Sequence, residues 1–260
     1  MSNFHEDGII ILDFGSQYTQ LIARRIREKH VYSEIMSPDV SIEVIQERSP
    51  KAIILSGGPS SVYEDSSPKY DSKLFALDIP ILGICYGLQL MAHHYNGQVK
   101  SSSHGEYGFA LINIMNSEHL FQSVSGNTQV WMSHMDRVTQ MPPGWEIMAE
   151  SSNGVVAAMG HVESKRFATQ FHPEVDHTVE GETILNNFLF KIAGCSPDWT
   201  AGNFIHEHVE KIREKTAGKR VLVGVSGGVD SSVVAALLNK AIGEQSIAVL
   251  IDHGLMRKNE

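Results

Sequence analysis

The chain has 260 residues, 42% of them hydrophobic and 20% charged, which is enough for one large domain and part of a second. A formal net charge of −9 argues against a general polyanion binder such as a nucleic-acid coat, although it permits a local phosphate site. No apolar run approaches the roughly 18 residues of a membrane span. The N-terminal residues also lack the basic and apolar segments of a secretory signal. We therefore expect no nucleic-acid partner, no membrane association and a cytoplasmic location.

The first hundred residues alternate between apolar runs and helical patterns. The predicted strands are 9–12, 51–55 and 79–83, and predicted helices follow the first and the third of them. Continuous apolar strands alternating with helices predict an α/β fold whose mostly parallel central sheet is flanked by helices. Ligands bind at the carboxyl ends of such strands. Three loops fall there, namely Gly15-Ser16, Gly57-Gly58 and Cys85-Tyr86.

The pattern of the remaining residues completes the first domain and indicates the start of a second. Residues 106–170 are typical of antiparallel strands, for example at 109–114 and 129–132, and a helical pattern returns over 179–193. We predict one domain over 8–193, a linker over 194–203, and a second domain over 204–260. That second domain has a helix at 204–215, a strand at 220–225, a helix at 232–241 and a strand at 246–251. The pattern is that of an incomplete doubly wound α/β domain.

The chemical motif nearest the N-terminus is Gly83-Ile84-Cys85-Tyr86-Gly87, between a strand and a helix. A nucleophile flanked by glycines two residues away on each side is typical of a nucleophile elbow. The helix N-terminus favours a thiolate at Cys85, and the backbone N–H of Tyr86 can stabilise an oxyanion. A small buried cysteine in an ordinary turn is the alternative. With only two cysteines and no export signal, we expect Cys85 and Cys195 to be thiols.

A base and its orienting group follow the predicted strand 166–169, in Phe171-His172-Pro173-Glu174. On an extended chain, side chains two residues apart point the same way, so His172 and Glu174 can face one site. The nucleophile, base and orienting group of a covalent hydrolase are thus available as Cys85, His172 and Glu174. In Ser56-Gly57-Gly58-Pro59, the Gly58 N–H is the predicted second oxyanion donor, although the same residues also fit a plain turn.

These motifs, with Asp13-Phe14-Gly15-Ser16-Gln17-Tyr18, resemble the class I glutamine amidotransferases over about residues 8–193. The resemblance implies that Cys85 attacks the side-chain amide of glutamine, His172 moves the proton and Glu174 orients the histidine. It implies that Gly58 and Tyr86 hold the oxyanion. It also implies that glutamine binds at Gln89 and at Ser133, His134 and Met135, with no cofactor for its hydrolysis. Met135 stands where that family usually has glycine.

A phosphate-binding pattern follows the strand 220–225, in Ser226-Gly227-Gly228-Val229-Asp230-Ser231-Ser232. Small residues and consecutive N–H groups at a helix N-terminus suit a phosphate or pyrophosphate. The segment lacks the Gly-Lys-Ser/Thr ending of a Walker loop and the spacing of a dinucleotide fingerprint. It resembles the PP-loop of the ATP pyrophosphatases, which implies that Ser226, Gly227, Gly228, Val229, Asp230, Ser231 and Ser232 bind ATP.

A glutaminase followed by a PP-loop domain resembles the GMP synthetase family. That resemblance implies a full-length enzyme that uses Mg-ATP to adenylate xanthosine monophosphate (XMP) and then aminates it with ammonia from glutamine. It also implies a homodimer. Because only the start of the second domain is present, we expect an N-terminal part that hydrolyses glutamine without completing GMP synthesis.

Other functions remain open from the residues alone. The glutaminase could serve another glutamine-dependent ligase, or be an idle glutamine-binding module. The same triad could also hydrolyse a different amide or ester. We assign no metal site, because no second ligand cluster accompanies His134 and Asp136, and His206-Glu207-His208 does not form a His-Glu-x-x-His helix.

Overall fold

The computed structural model describes residues 8–250, apart from the side chains of residues 102–104, 201 and 207. The chain divides into two compact units between Asp198 and Trp199. None of the helices within residues 8–250 combines the length and the apolar character needed to cross a bilayer.

The first unit is built on a nine-stranded mixed sheet. Its strands are β1 (Ile9–Leu12), β2 (Ser33–Met36), β3 (Ala52–Leu55), β4 (Ile81–Ile84), β5 (Gln98–Ile114), β6 (Asn127–Gln140), β7 (Glu146–Ser151), β8 (Val156–His161) and β9 (Arg166–Thr169). They lie in the order β2-β1-β3-β4-β9-β8-β7-β5-β6. The pairings from β2 to β9 are parallel and those from β9 to β6 are antiparallel. The predicted α/β architecture is confirmed.

Helices cover both faces of this sheet. They are α1 (Thr19–Glu28), α2 (Ile42–Arg48), α3 (Tyr86–His94) and α4 (Gly181–Asn186), which continues into a π-helical turn (Asn187–Ile192). Short 3₁₀ turns occupy Ser72–Ala76 and His119–Phe121. Alternate residues of β1 enter different cores. Ile9 and Ile11 pack in the same core as α1 and α4, and Ile10 and Leu12 pack in the core of α2 and α3. A strand buried on both faces is thus apolar throughout, as its sequence indicated.

Up to Leu250, the second unit contains two parallel strands, two α-helices and a short 3₁₀ turn at Gly243–Gln245. The strands and α-helices are α5 (Ala201–Thr216), β10 (Val221–Val225), α6 (Val229–Ile242) and β11 (Ser246–Leu250). Leu222 and Leu250 remain largely exposed, which agrees with the expectation of an incomplete sheet. The predicted end of the last strand, at Ile251, lies outside the described residues.

Two features differ from the sequence prediction. The short elements β2 and α2 were not predicted, because β2 mixes polar and apolar residues at a sheet edge and α2 has only seven residues. In addition, two helices begin three residues earlier than predicted. The helix α5 begins at Ala201 rather than at residue 204, because the Thr200 side chain caps it by accepting from the Asn203 N–H. The helix α6 begins at Val229 rather than at Ser232, because the extended Gly228 is its N-cap residue.

The turn from β4 to α3 requires glycine at two positions. A Cβ on Gly83 would lie 2.6 Å from the Gly87 carbonyl oxygen, and a Cβ on Gly87 would lie 2.5 Å from the Leu55 carbonyl oxygen. Between them, Cys85 has φ 54° and ψ −101°, a conformation that costs a non-glycine residue about 1–3 kcal/mol. This close packing lifts the cysteine out of the sheet at the start of α3, as the nucleophile-elbow interpretation predicted.

Replacement of Gly87 by alanine tests this packing. Because the new Cβ would meet backbone and cannot move aside, we expect Gly87→Ala to lower the free energy of unfolding by about 1–3 kcal/mol. Denaturant unfolding measures the change. The matched control is Gly126→Ala, since a Cβ there meets nothing within 4 Å. Equal stability of the two variants would contradict the close approach of α3 to β3.

Candidate active site

The predicted triad residues meet because β4 and β9 are neighbouring parallel strands. Gly83 pairs with Ala168, and the Cys85 backbone N–H donates to the Thr169 carbonyl at 2.7 Å. Cys85 follows β4 and His172 follows β9, so both lie at the same edge of the sheet. A Cβ on Gly57 would contact both, at 3.3 Å from His172 Cε1 and 3.6 Å from Cys85 Cβ. Cys85, His172 and the loop after β3 therefore surround one small volume.

His172 and Glu174 form a buried charged pair. The Nδ1 of His172 lies 2.7 Å from Glu174 Oε1, and the two side chains are 5% and 0% exposed. Burial lowers the pKa of His172, but the negative charge of Glu174, hydrogen bonds to Cys85 and Glu174, and the charge of Cys85 outweigh it and raise this pKa to about 10. This direction favours the protonated imidazole at neutral pH. With Nδ1 directed at Glu174, Nε2 is the nitrogen left for the cysteine.

Contacts from three directions fix this pair. The His172 N–H donates to the Trp131 carbonyl of β6 at 3.1 Å, and the Thr178 hydroxyl donates to the His172 carbonyl at 2.6 Å. On α1, Arg25 donates to the Glu174 carbonyl at 3.0 Å. The ring of Tyr18 packs edge-on against the His172 ring, with centroids 4.9 Å apart. Tyr18 and Arg25 were missed at the sequence level, because nothing in their local pattern indicates a contact with the distant histidine.

The predicted oxyanion donors have free N–H groups. Neither the Gly58 nor the Tyr86 backbone N–H donates to an acceptor within residues 8–250. Gly58 must be glycine, because a Cβ there would lie 2.5 Å from the Phe14 carbonyl oxygen. Tyr86 is the first residue of α3, where backbone N–H groups lack helical partners. Two donors beside Cys85 are thus available to a ligand.

A cavity of about 1130 Å³ opens above the cysteine. It brings together seven of the predicted residues, namely Gly58, Cys85, Gln89, Ser133, His134, Met135 and His172. The loop at Gly15 and Ser16 also lines it, as expected for the carboxyl end of β1. Glu174 lies behind His172. The cavity wall is mixed polar and apolar, which suits a small polar ligand.

The predicted glutamine-binding residues connect α3 to β6. Gln89 donates its amide to the Asp136 carbonyl at 2.9 Å, and the Cys85 thiol donates to the Ser133 carbonyl at 3.5 Å. Met135 is 44% exposed and has no positive φ, so the backbone of this chain does not require glycine there. Its sulfur instead covers Gly105, where a Cβ would lie 2.7 Å from it.

A second histidine–carboxylate pair lies beside the cavity. His134 Nε2 is 3.2 Å from Glu106 Oε2, and His134 Nδ1 is 3.0 Å from the Asp136 carbonyl oxygen. Ser151 and Asn153 donate to the other oxygen of Glu106 at 3.0 and 2.8 Å. Burial lowers the pKa of His134. Glu106 was not predicted from the sequence, because its contact with His134 depends on the pairing of β5 with β6.

The predicted ATP-binding residues lie in the second unit, in the turn from β10 to α6. Gly227 has φ 82°, and the hydroxyls of Ser226 and Ser231 lie 3.2 Å apart. Val229 and Asp230 form the first turn of α6, which no side chain caps. Within residues 8–250, no group of three or more His, Cys, Asp or Glu residues is arranged to hold a metal ion.

Comparison with known proteins connects this geometry to a family. The family model for class-I glutamine amidotransferases matches residues 10–192, and the model for NAD synthase matches residues 201–260. The chain is 52% identical over 252 residues to a "GMP synthase [glutamine-hydrolyzing]" of Oceanobacillus iheyensis, covering 97% of this chain and 49% of that protein. It is 51% identical over 254 residues to the protein of the same name from Brachyspira hyodysenteriae, covering 98% and 49%.

A crystal structure of a related protein agrees with these matches. This structure, described as a "putative gmp synthase subunit a protein" from Thermoplasma acidophilum, has a TM-score of 0.66 and 30% identity, over 78% of this chain and 98% of that one. The chain spans about half the length of the curated relatives it matches. The family model covers most of the first unit, including Cys85, His172 and Glu174. The chain therefore belongs to the class-I glutamine amidotransferase family.

Proposed function

We propose that the first unit hydrolyses glutamine to glutamate and ammonia through Cys85, His172 and Glu174. The observation that carries this proposal is the buried contact of His172 with Glu174 at 2.7 Å, beside a cysteine in a nucleophile elbow. The raised pKa of His172 supports an imidazolium that stabilises a neighbouring thiolate. This proposal extends the family membership to roles for individual residues.

The reaction begins when Cys85 Sγ attacks the side-chain amide carbon of glutamine and negative charge moves to the amide oxygen. The N–H groups of Gly58 and Tyr86 stabilise that oxygen. The His172 imidazolium gives its proton to the amide nitrogen, the C–N bond breaks, and ammonia leaves a glutamyl thioester. Neutral His172 then takes a proton from water as the water oxygen attacks the thioester. Glutamate leaves, and the imidazolium and thiolate are restored.

The remainder of the cavity binds the amino-acid part of glutamine in this proposal. Gln89, Ser133, His134 and Met135 supply that wall, and their support is that all four line the cavity that contains Cys85. Gln89 Oε1 accepts no hydrogen bond from the described residues, so it is available to a donor such as the glutamine ammonium group. Hydrolysis needs no cofactor, because the nucleophile, base and oxyanion donors are all side chains or backbone groups.

We further propose that a longer protein uses this ammonia to aminate XMP to GMP. The names of the relatives support this, as does the second unit, where Ser226, Gly227, Gly228, Val229, Asp230, Ser231 and Ser232 would bind ATP as its Mg²⁺ complex. The exposed loop at the uncapped N-terminus of α6 fits a phosphate group. We assign residues 8–193 to the glutaminase domain, 194–203 to a linker and 204–260 to the start of the ATP pyrophosphatase domain. We expect a homodimer of the longer protein.

We propose that this reaction takes place in the cytoplasm. Cys85 and Cys195 both lie in the described part of the chain and neither forms a disulfide, which suits a reducing environment.

Removal of the nucleophile tests the glutaminase. We expect Cys85→Ala to lower the rate of glutamate release from glutamine on the order of 10³-fold or more, because covalent catalysis is lost. The matched control is Cys195→Ala, which removes the other thiol and should leave the rate unchanged. Turnover by the Cys85 variant at the parent rate would exclude this cysteine as the nucleophile.

The pH dependence of stability tests the His172–Glu174 pair. The pKa of His172 is about 10 in the folded protein and near 6.5 in the unfolded chain, so the imidazolium contributes its full stability below pH 6.5. This contribution is lost as the pH rises from 6.5 to about 10. We therefore expect the difference in unfolding free energy between the parent and Glu174→Gln to shrink over that interval.

Denaturant unfolding at several pH values measures this difference. Exposed Glu163→Gln is the control, and its difference from the parent should stay flat. A Glu174→Gln difference that is equally flat between pH 6.5 and 10 would mean that His172 is neutral in the folded protein.

A further inference from the structure

A fully buried amide, Gln170, contacts the sulfur of the proposed nucleophile. Its Nε2 donates to Cys85 Sγ at 3.7 Å, and its Oε1 accepts from Gln89 Nε2 at 3.5 Å. Gln170 is 0% exposed, and its own N–H donates to the Ala157 carbonyl of β8 at 2.8 Å. The amide is thus fixed by the end of β9 and directed at the reacting atom.

The strength of the hydrogen bond that Gln170 donates depends on the charge of the Cys85 sulfur. A buried amide N–H is costly unless it donates a good hydrogen bond. A neutral thiol is a weak acceptor, whereas a thiolate accepts charge-assisted hydrogen bonds. The donor of Gln170 is therefore well satisfied only when Cys85 is ionised, and by reciprocity Gln170 favours the ionised form.

The Ser133 carbonyl has the opposite preference. It accepts the S–H of Cys85 at 3.5 Å, a contact that only the protonated thiol can make. Gln170 and Ser133 thus select between two forms of the same sulfur. Gln89 connects them, because it donates both to Gln170 and to the Asp136 carbonyl on the same segment of β6 as Ser133.

We infer that Gln170 is a positioning residue that holds Cys85 as the thiolate and directs its sulfur toward the cavity. The inference rests on the proposed role of Cys85 as the nucleophile. In the reaction, Gln170 donates its hydrogen bond to the sulfur before attack. It gives up no proton, since an amide N–H remains intact throughout. Gln89 links the Gln170 amide to the Ser133–Asp136 segment, because its own amide donates to both Gln170 and the Asp136 carbonyl.

The test is the pH dependence of Cys85 alkylation by iodoacetamide in the parent, Gln170→Met and Gln170→Glu, followed by mass spectrometry of the Cys85 peptide. Met keeps the size of the side chain without the donor, and Glu replaces the donor with a negative charge. We expect the pH of half-maximal alkylation to rise by about one unit in Gln170→Met, and further in Gln170→Glu. We also expect kcat for glutamine to fall about tenfold, with little change in KM.

The control is Gln46→Glu, which adds the same negative charge at an exposed position of α2 and should leave the profile unchanged. Circular dichroism confirms folding, and either Gln170 variant suffices if the other does not fold. An unshifted alkylation profile in a folded Gln170 variant would overturn the inference. This readout needs no glutamine, so failure of the proposed function would be seen separately, as absence of glutamate release by the parent.

Discussion

The pairing of β4 with β9 is the constraint on which the candidate site depends. Parallel neighbours end at the same edge of a sheet, so the turn after each strand faces the turn after the other. In this chain those turns carry Cys85 and His172, and the Cys85 N–H donates directly to the Thr169 carbonyl. A slip of one residue in this register would turn the side chains of β9 to the opposite face. In the observed register Ile84 pairs with Thr169, so Cys85 and His172 leave their strands close to the same point of the edge.

Electrostatics then gives the site its chemical character. A buried carboxylate is costly without a partner, and Glu174 has a histidine at 2.7 Å. Both Glu174 and Cys85 raise the pKa of His172, which contacts Glu174 through Nδ1. Cys85 is the N-cap residue of α3, and the Gln170 amide donates to its sulfur. Several polar groups thus surround one sulfur atom.

The parts of the fold that the sequence predicted are those fixed by local patterns. The apolar runs of β1, β3 and β4 reflect burial on both faces, and the glycines around Cys85 reflect a turn that no side chain fits. The contacts of Tyr18, Arg25, Glu106 and Gln170 could not be predicted, because each joins residues that only the sheet order brings together. The predicted beginning of α6 was wrong because the helical backbone already starts at Val229, directly after the extended Gly228. The residue roles remain predictions.

The central claim is that the first unit contains a glutamine pocket in which Cys85 is the nucleophile. The most direct test treats the chain with 6-diazo-5-oxo-norleucine, a reactive glutamine mimic, and identifies the modified peptide by mass spectrometry. We predict one adduct, on Cys85, that excess glutamine prevents. An adduct on Cys195, an adduct that glutamine does not prevent, or no adduct on the folded chain would contradict the claim.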